Sequence, residues 1–347
     1  MMPMGRAASH RLFWPCVTLV VRLAVNAAFN PGLWHLQWRD GHLYGSLIDI
    51  LNRAAPLALV SLGMTLVIAT RGIDISVGAV VAISAAVAAL MIGGQLVVKD
   101  GMQTYVSRFP MWLALAAALG IAVLAGLWNG LLVAGVGMQP IIATLILMVA
   151  GRGIAQLITG GQIITVYYAP YFFLGSGFLL GLPFSLFVVA ALWIALQLAL
   201  TRTALGLFIQ SIGINPAAAR MAGVPQRAIS ICVYVLCGVT AGIAGLLISS
   251  NVKSADGNNA GLLMELDAIL AVTLGGTLLT GGRFSLAGSV LGALIIQTLT
   301  STIYSIGVPP EVNLVVKASV VFVVMLLQSP EFRALMRGLV FRRAVAS

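Results

Sequence analysis

"APLALVSLGMTLVIATRGIDISVGAVVAISAAVAALMIG", residues 55–93, decides the fold. Two runs of Val, Ile, Ala and Leu flank a short interruption that holds Arg71, Gly72, Asp74, Ser76 and Gly78. Each run is close to the roughly 20 residues that cross a hydrocarbon core of about 30 Å as a helix. A helix on the surface of a soluble protein would carry a polar stripe, and these runs carry none. The stretch reads as two membrane-crossing helices joined by a charged link.

The rest of the chain repeats the pattern. Of its 347 residues, 60% are hydrophobic and only 8% are charged, against about 25% charged in soluble domains. The apolar blocks are continuous, which excludes the alternation of a membrane barrel. The fold class is therefore an all-α polytopic membrane protein with about ten transmembrane helices. The spans run over 12–29, 55–70, 76–93, 112–135, 139–159, 182–200, 228–250, 262–280, 285–306 and 312–328. Arg22 interrupts the first span. A cleaved signal peptide is the rival reading there, but the charge breaks the apolar core it needs.

Basic residues set the orientation. With a cytoplasmic N-terminus, eleven of the 19 Lys and Arg fall inside, Arg39, Arg53, Lys99, Arg108 and Lys253 fall outside, and Arg22, Arg152 and Lys317 fall within spans. That is the positive-inside bias, so the net charge of +10 is a topology signal. The chain divides into a cytoplasmic tail (1–11), a transmembrane unit (12–328) with a long inner connection (201–227), and a basic cytoplasmic tail (329–347). No basic patch stands on a soluble domain, so no nucleic-acid partner is expected. Cys16, Cys232 and Cys237 lie in apolar spans at spacings that fit neither zinc nor a disulfide framework. No metal or cofactor is expected. The three histidines, His10, His35 and His42, cluster near the N-terminus, which leaves a membrane-embedded enzyme without a catalytic constellation.

Two loops carry information. Ser46 and Asp49 have capping-box spacing and predict a short interfacial helix ahead of the second span, either a contact for an external protein or a plain re-entry helix. In the inner connection, "NPAAARMAGVP" (215–225) predicts a second short helix. Asn215 would cap it, Pro216 would begin it, and Gly223 and Pro225 would stop it. It is either a surface for another protein or a basic turn. The three lysines, Lys99, Lys253 and Lys317, do not follow glycine. The chain thus has no P-loop, and any ATPase driving it is a separate polypeptide.

Polar groups inside spans are functional candidates by default. Here they are Asn129, then Gln139, Thr144 and Arg152, then Glu265 and Asp267, with Gln297 and Lys317 as singletons. Thr144 and Arg152, eight apart, share a helix face. Each also has a structural reading. Glu265, Asp267, Arg152 and Lys317 would neutralise one another, and Asn129 would bond a neighbouring helix. Together they give a partly polar interior suited to a polar, uncharged solute. No histidine lies in the spans, so a proton relay is poorly supported. Gly238/Gly242 and Gly288/Gly292 have the small-xxx-small spacing of close helix approach. "GIDISVG" (72–78) and "GRFSLAG" (282–288) form a faint internal echo of the kind seen in duplicated transporters. Asp74 and Ser76 are placed to cap the third span, and Arg71 reads as a local inner anchor.

These motifs resemble the permease subunits of bacterial ATP-binding-cassette sugar importers, the ribose/xylose/galactose group. "GMTLVIATRGIDISVGAVVAI" is similar to that group's first signature, "GINPAAARMAGV" to its ATPase-coupling loop, and "MELDAILAVTLGGTLLTGGRFSLAGSVLGALIIQ" to its late signature. Within the group, "ILNRAAPLAL", "NNAGLLMELDAILAV" and "GVPPEVNLVVKA" look most like the galactofuranose branch. The resemblance implies four partners: a separate ATP-binding subunit, a second and different permease chain, a periplasmic sugar-binding protein and a monosaccharide substrate. It places Gly213, Asn215, Ala219 and Gly223 in the coupling loop. Gly72, Asp74, Ser76 and Gly78 fall in the first signature, and Glu265, Asp267, Gly275, Gly276, Gly281 and Gly282 in the late one. The group's usual glycine before Gly72 is Arg71 here. A stand-alone secondary carrier is the alternative class, and it would need no partner. The expected location is the bacterial inner membrane.

Overall fold

In the computed structural model the two opening runs form helices that a third helix holds apart. The structure describes residues 12–29, 32–39, 41–93, 95–99 and 102–307, with scattered helical residues between 312 and 326. In chain order the helices are α1 (Phe13–Phe29), α2 (Ser46–Ala69), α3 (Val77–Ile92), α4 (Met111–Gly130), α5 (Pro140–Thr159) and α6 (Ala169–Ser176). They continue with α7 (Phe184–Arg202), α8 (Leu205–Ile214), α9 (Pro216–Met221), α10 (Gln226–Val252), α11 (Met264–Leu274) and α12 (Leu286–Ser305). A π-helical turn, Leu131–Val136, extends α4.

α10 is the central post and packs against α2, α3 and α4. Small residues make this possible. A Cβ at Gly126 would lie 2.5 Å from the Tyr234 carbonyl, and one at Gly242 would lie 2.5 Å from the Ala122 methyl. Across the bundle, a Cβ at Gly292 would collide with the carbonyl of Ala271, and one at Gly288 with that of Gly275. Both small-xxx-small pairs expected from sequence therefore sit at tight crossings. α3 is buried almost throughout, whereas Leu124, Val149, Leu157 and Leu198 on α4, α5 and α7 are exposed. Apolar side chains facing both inward and outward are the mark of helices that sit in lipid.

The short strands share one end of the bundle, the hairpin end. β1 (Gln37–Arg39) pairs with β2 (His42–Tyr44), and β3 (Gln95–Lys99) with β4 (Met102–Val106). β5 (Ile164–Thr165) follows α5, β6 (Phe178–Leu179) and β7 (Leu182–Pro183) precede α7, and β8 (Ser254–Ala255) returns to β5 with Ile164 opposite Ala255. The link at 70–76, the α8–α9 segment and the loop 275–285 lie at the opposite, signature end.

The structure corrects the sequence reading in several places. Among the described residues, six helices have the length and composition of a membrane span: α2, α4 with its π turn, α5, α7, α10 and α12. α1, α3 and α8 are apolar but shorter, so the described residues do not confirm the count of about ten. The separate interfacial helix at 46–54 does not exist, because α2 runs unbroken from Ser46 despite Pro56. Its cap position is Gly45, with no side-chain cap, so the Ser46/Asp49 box is not formed. The span expected at 262–280 is only half helix. From Lys253 to Leu263 the backbone is irregular, with positive φ at Lys253, Gly261 and Leu263, and α11 supplies just 11 residues. The span at 312–328, both tails and Lys317 lie outside the fully described residues.

Irregular backbone persists inside a folded protein only where other groups satisfy its polar atoms. Arg152 does so here. Its Nη1 donates to the carbonyls of Gly257 (3.4 Å), Asn258 (3.3 Å) and Ala260 (2.6 Å). Gln156 adds a bond to Asn258 Oδ1 at 2.8 Å. Asp256 accepts from the Asn258 amide (2.8 Å) and the Asn259 side chain (2.7 Å). Partial burial pushes the Asp256 carboxyl up, but these bonds and the field of Arg152 hold it below the usual range.

Candidate functional site

α2 ends in a Schellman motif. The amides of Arg71 and Gly72 donate to the carbonyls of Ile68 and Val67, both at 2.9 Å. The residue that closes such a motif is left-handed and is ordinarily glycine. Here it is Arg71, at φ +65°.

Asp74 follows on the link and is 2% exposed. Its Oδ1 accepts from the Ser76 amide (2.9 Å), the Ser76 hydroxyl (2.7 Å) and Asn129 Nδ2 (3.2 Å). Asn129 Nδ2 also reaches Ser76 Oγ at 2.8 Å. The expected cap of α3 is thereby modified. Ser76 occupies the cap position but makes no side-chain cap, and Asp74 closes a local turn on the Ser76 amide instead. Thr144 of α5 holds the other side, 3.3 Å from both the Ile73 carbonyl and the Ile75 amide. Side chains of α4 and α5 thus fix the link in place.

Among the described residues, three buried polar atoms in or next to this network have no hydrogen-bond partner: Asn129 Oδ1, Tyr234 Oη and Glu265 Oε2. Tyr234 of α10 faces Gly72, where a Cβ would lie 2.6 Å from its hydroxyl. Glu265, at the start of α11, lies against Gly78, where a Cβ would collide with the Glu265 carboxylate and the Gly261 carbonyl. Unsatisfied buried groups are costly, and such groups mark places where a polar solute or water has business inside a bundle.

Three segments meet on the other face of the link. The Gly282 amide donates to the Ala69 carbonyl at 2.9 Å. Gly213, in the last turn of α8, fits between them, and a Cβ there would strike both Ala69 O and Gly282 N. Arg71 closes the junction. Its Nε donates to the Gly213 carbonyl and its Nη2 to the Ile214 carbonyl, each at 2.7 Å. The next residue, Asn215, caps α9 by accepting from Ala217 N and Ala218 N, both at 3.1 Å, with Pro216 at the first helical position. The expected cap is therefore present. Ala219 is the buried residue of α9, and Gly223 ends the helix at φ +80°. A cavity of about 790 Å³ opens beside the junction and is lined by Arg71, Gly72, Pro140, Arg220, Arg227 and Tyr234 among others.

The sequence candidates therefore separate. Asp74, Ser76, Asn129 and Thr144 form one network, and Gly78 with Glu265 adjoins it. Gly213, Asn215, Ala219 and Gly223 form the α8–α9 corner. Arg152 serves the irregular segment rather than pairing closely with an acid. Gln139 is an exposed cap residue of α5, and Asp267 is half-buried on α11. Tyr234 was not among the candidates, although a tyrosine within the apolar "SICVYVLCG" was its signal. The helix α8 was also missed, because "LGLFIQSIGI" has no side-chain cap to announce it.

Residues 46–326 match the family described as the permease component of the branched-chain amino acid transport system. The chain belongs to this permease family. It is a transport component and not an enzyme. The galactofuranose transporter permease protein of Escherichia coli K12 is 49% identical over 97% of this chain and 96% of its own length. A fructose import permease protein of Bifidobacterium longum is 37% identical over 97% of this chain and 93% of its own. The ribose import permease protein of Escherichia coli K12 is 33% identical over 90% of this chain and 92% of its own. No solved structure gives a significant match.

Proposed function

We propose that the chain is the membrane-spanning subunit of an ATP-driven importer that moves galactofuranose into the cytoplasm. The observation that carries the mechanism is the junction at the signature end. There a short, capped, exposed helix, α9, connects through Gly213 and Arg71 to the link that holds Asp74. A push on α9 reaches the polar interior through a few residues. The substrate reading rests on the three relatives named above, each of which carries a sugar in its name, with the galactofuranose permease at 49% identity.

In this reading the signature end faces the cytoplasm, as do both termini, in keeping with the basic residues Arg71, Arg202, Arg220, Arg227 and Arg283 on that side. A separate ATP-binding subunit docks on α9. A sugar-binding protein delivers cargo at the hairpin end, and a second, different permease chain completes the pathway. The path within this chain runs along Glu265, Asn129 and Asp74, whose unpaired or shared polar atoms can exchange bonds with sugar hydroxyls. Hydrogen-bonding groups of this kind suit an uncharged sugar, which needs donors and acceptors but no counter-ion. Ribose or fructose is the second reading, favoured by the relatives at 33% and 37% identity.

The test is uptake of labelled galactofuranose, ribose, fructose and galactopyranose by cells that carry the whole transporter. Galactofuranose should be taken up in preference to the others. Preference for another of these sugars would replace the substrate, and uptake of none would reject the reading.

A further inference from the structure

Arg71 stands where the helix-ending motif calls for glycine. Non-glycine residues adopt φ near +60° at an energetic cost, and among the described residues only Arg71, Leu180, Lys253 and Leu263 do so. Arg71 is also part of the tightest meeting of segments at the signature end. Its guanidinium spans two consecutive carbonyls, those of Gly213 and Ile214, at 2.7 Å each. Its stem lies over Gly281, where a Cβ would be 2.6 Å from Arg71 Cγ. These carbonyls belong to the end of α8, and the cap of α9 is the next residue. Helix-end carbonyls carry partial negative charge and lack intrahelical donors, so a planar, permanently charged fork suits them. An inner positive charge for membrane orientation would not need that geometry. A lysine or a freely exposed arginine would serve as well.

We propose that Arg71 is a positioning residue that latches the α8–α9 corner to the signature link, so that displacement of α9 is delivered to Asp74, three residues on. This rests on the reading of α9 as the ATPase docking helix. The strained backbone at position 71 holds the guanidinium over the α8 terminus. A glycine there would relax the backbone while cutting the connection. Arg71 does not touch the sugar in this scheme. Its effect is on how much transport each ATP yields.

The experiment uses the complete transporter reconstituted in proteoliposomes, with ATP hydrolysis and uptake of labelled sugar measured together. Arg71→Gly should accumulate in the membrane as the unaltered protein does and should still hydrolyse ATP. Its sugar uptake per ATP should fall about tenfold, within the usual range of coupling between sites. Arg71→Lys keeps the charge and the membrane orientation but cannot bridge both carbonyls, and should recover less than half of the loss. It also remains decisive if the glycine variant does not accumulate. An unchanged ratio in Arg71→Gly, or full coupling in Arg71→Lys, overturns the latch. Gly223→Glu is the parallel control on α9, because it strains the left-handed turn that ends the helix, at φ +80°, and puts a charge on the proposed docking surface. If Gly223→Glu is uncoupled while both Arg71 variants are normal, the latch alone fails. If all three variants are normal, the docking reading of α9 fails with it.

Discussion

Replacing Asp74 by alanine removes the common acceptor of three donors. Two of them retain each other, because Asn129 Nδ2 still reaches Ser76 Oγ at 2.8 Å. The Ser76 amide, 2.9 Å from Asp74 Oδ1, is left without its acceptor in a buried site. A stranded buried donor costs about 1–3 kcal/mol, and bonds to a carboxylate contribute about 1.5–3 kcal/mol each. Relief from burying the carboxylate itself works in the opposite direction. The net loss expected for Asp74→Ala is about 3 kcal/mol. Asp74→Asn keeps a carbonyl oxygen at the same place and is expected to cost about 1 kcal/mol or less by the same accounting. The assay is thermal unfolding of the purified protein in detergent, paired with uptake by the assembled transporter. Asp74→Ala should unfold several degrees lower and lose uptake, and Asp74→Asn should retain most of both. Equal stability of Asp74→Ala and the unaltered protein would refute the network account. So would an Asn variant as damaged as the Ala variant, since charge rather than hydrogen bonding would then hold the link.

Other substitutions probe the contacts around the link. Gly213→Ala places a methyl against the Ala69 carbonyl and the Gly282 amide. Overpacking of this kind typically costs about 1–3 kcal/mol, so the detergent-solubilised protein should melt lower and uptake should fall. Gly78→Ala pushes on Glu265 and the Gly261 carbonyl. It should open the irregular 253–263 segment, read as faster amide hydrogen exchange there than in α3. Asn215→Ala removes a cap that accepts two amides and should cost α9 about 1 kcal/mol. Its amides should exchange faster and uptake should drop, with the melting temperature of the bundle unchanged.

Features set by neighbouring residues were legible in the sequence. Asn215, Pro216 and Gly223 mark the bounds of α9 because caps and stops act within one helical turn. The spans α4, α5, α7, α10 and α12 are legible because membrane crossing depends on length and apolarity, both local properties. The span at 262–280 misled because apolar composition is common to a full helix and to buried irregular backbone. Arg152, more than a hundred residues earlier, satisfies three carbonyls of that segment. The pairing of Asp74 with Asn129, and of Arg71 with Gly213, is likewise set by packing across α10 and α8. Sequence spacing carries no record of it. Arg71 read as an anchor because its charge was visible. Its left-handed φ and its two carbonyl partners become visible only when α2, α8 and the 275–285 loop meet.

The most direct test of the account is uptake of labelled galactofuranose by proteoliposomes containing this chain alone, and by proteoliposomes containing the full transporter with its ATP-binding subunit, each with and without ATP. The account predicts accumulation only in the complete assembly with ATP. Sugar uptake by the chain alone would contradict it and would show a stand-alone carrier.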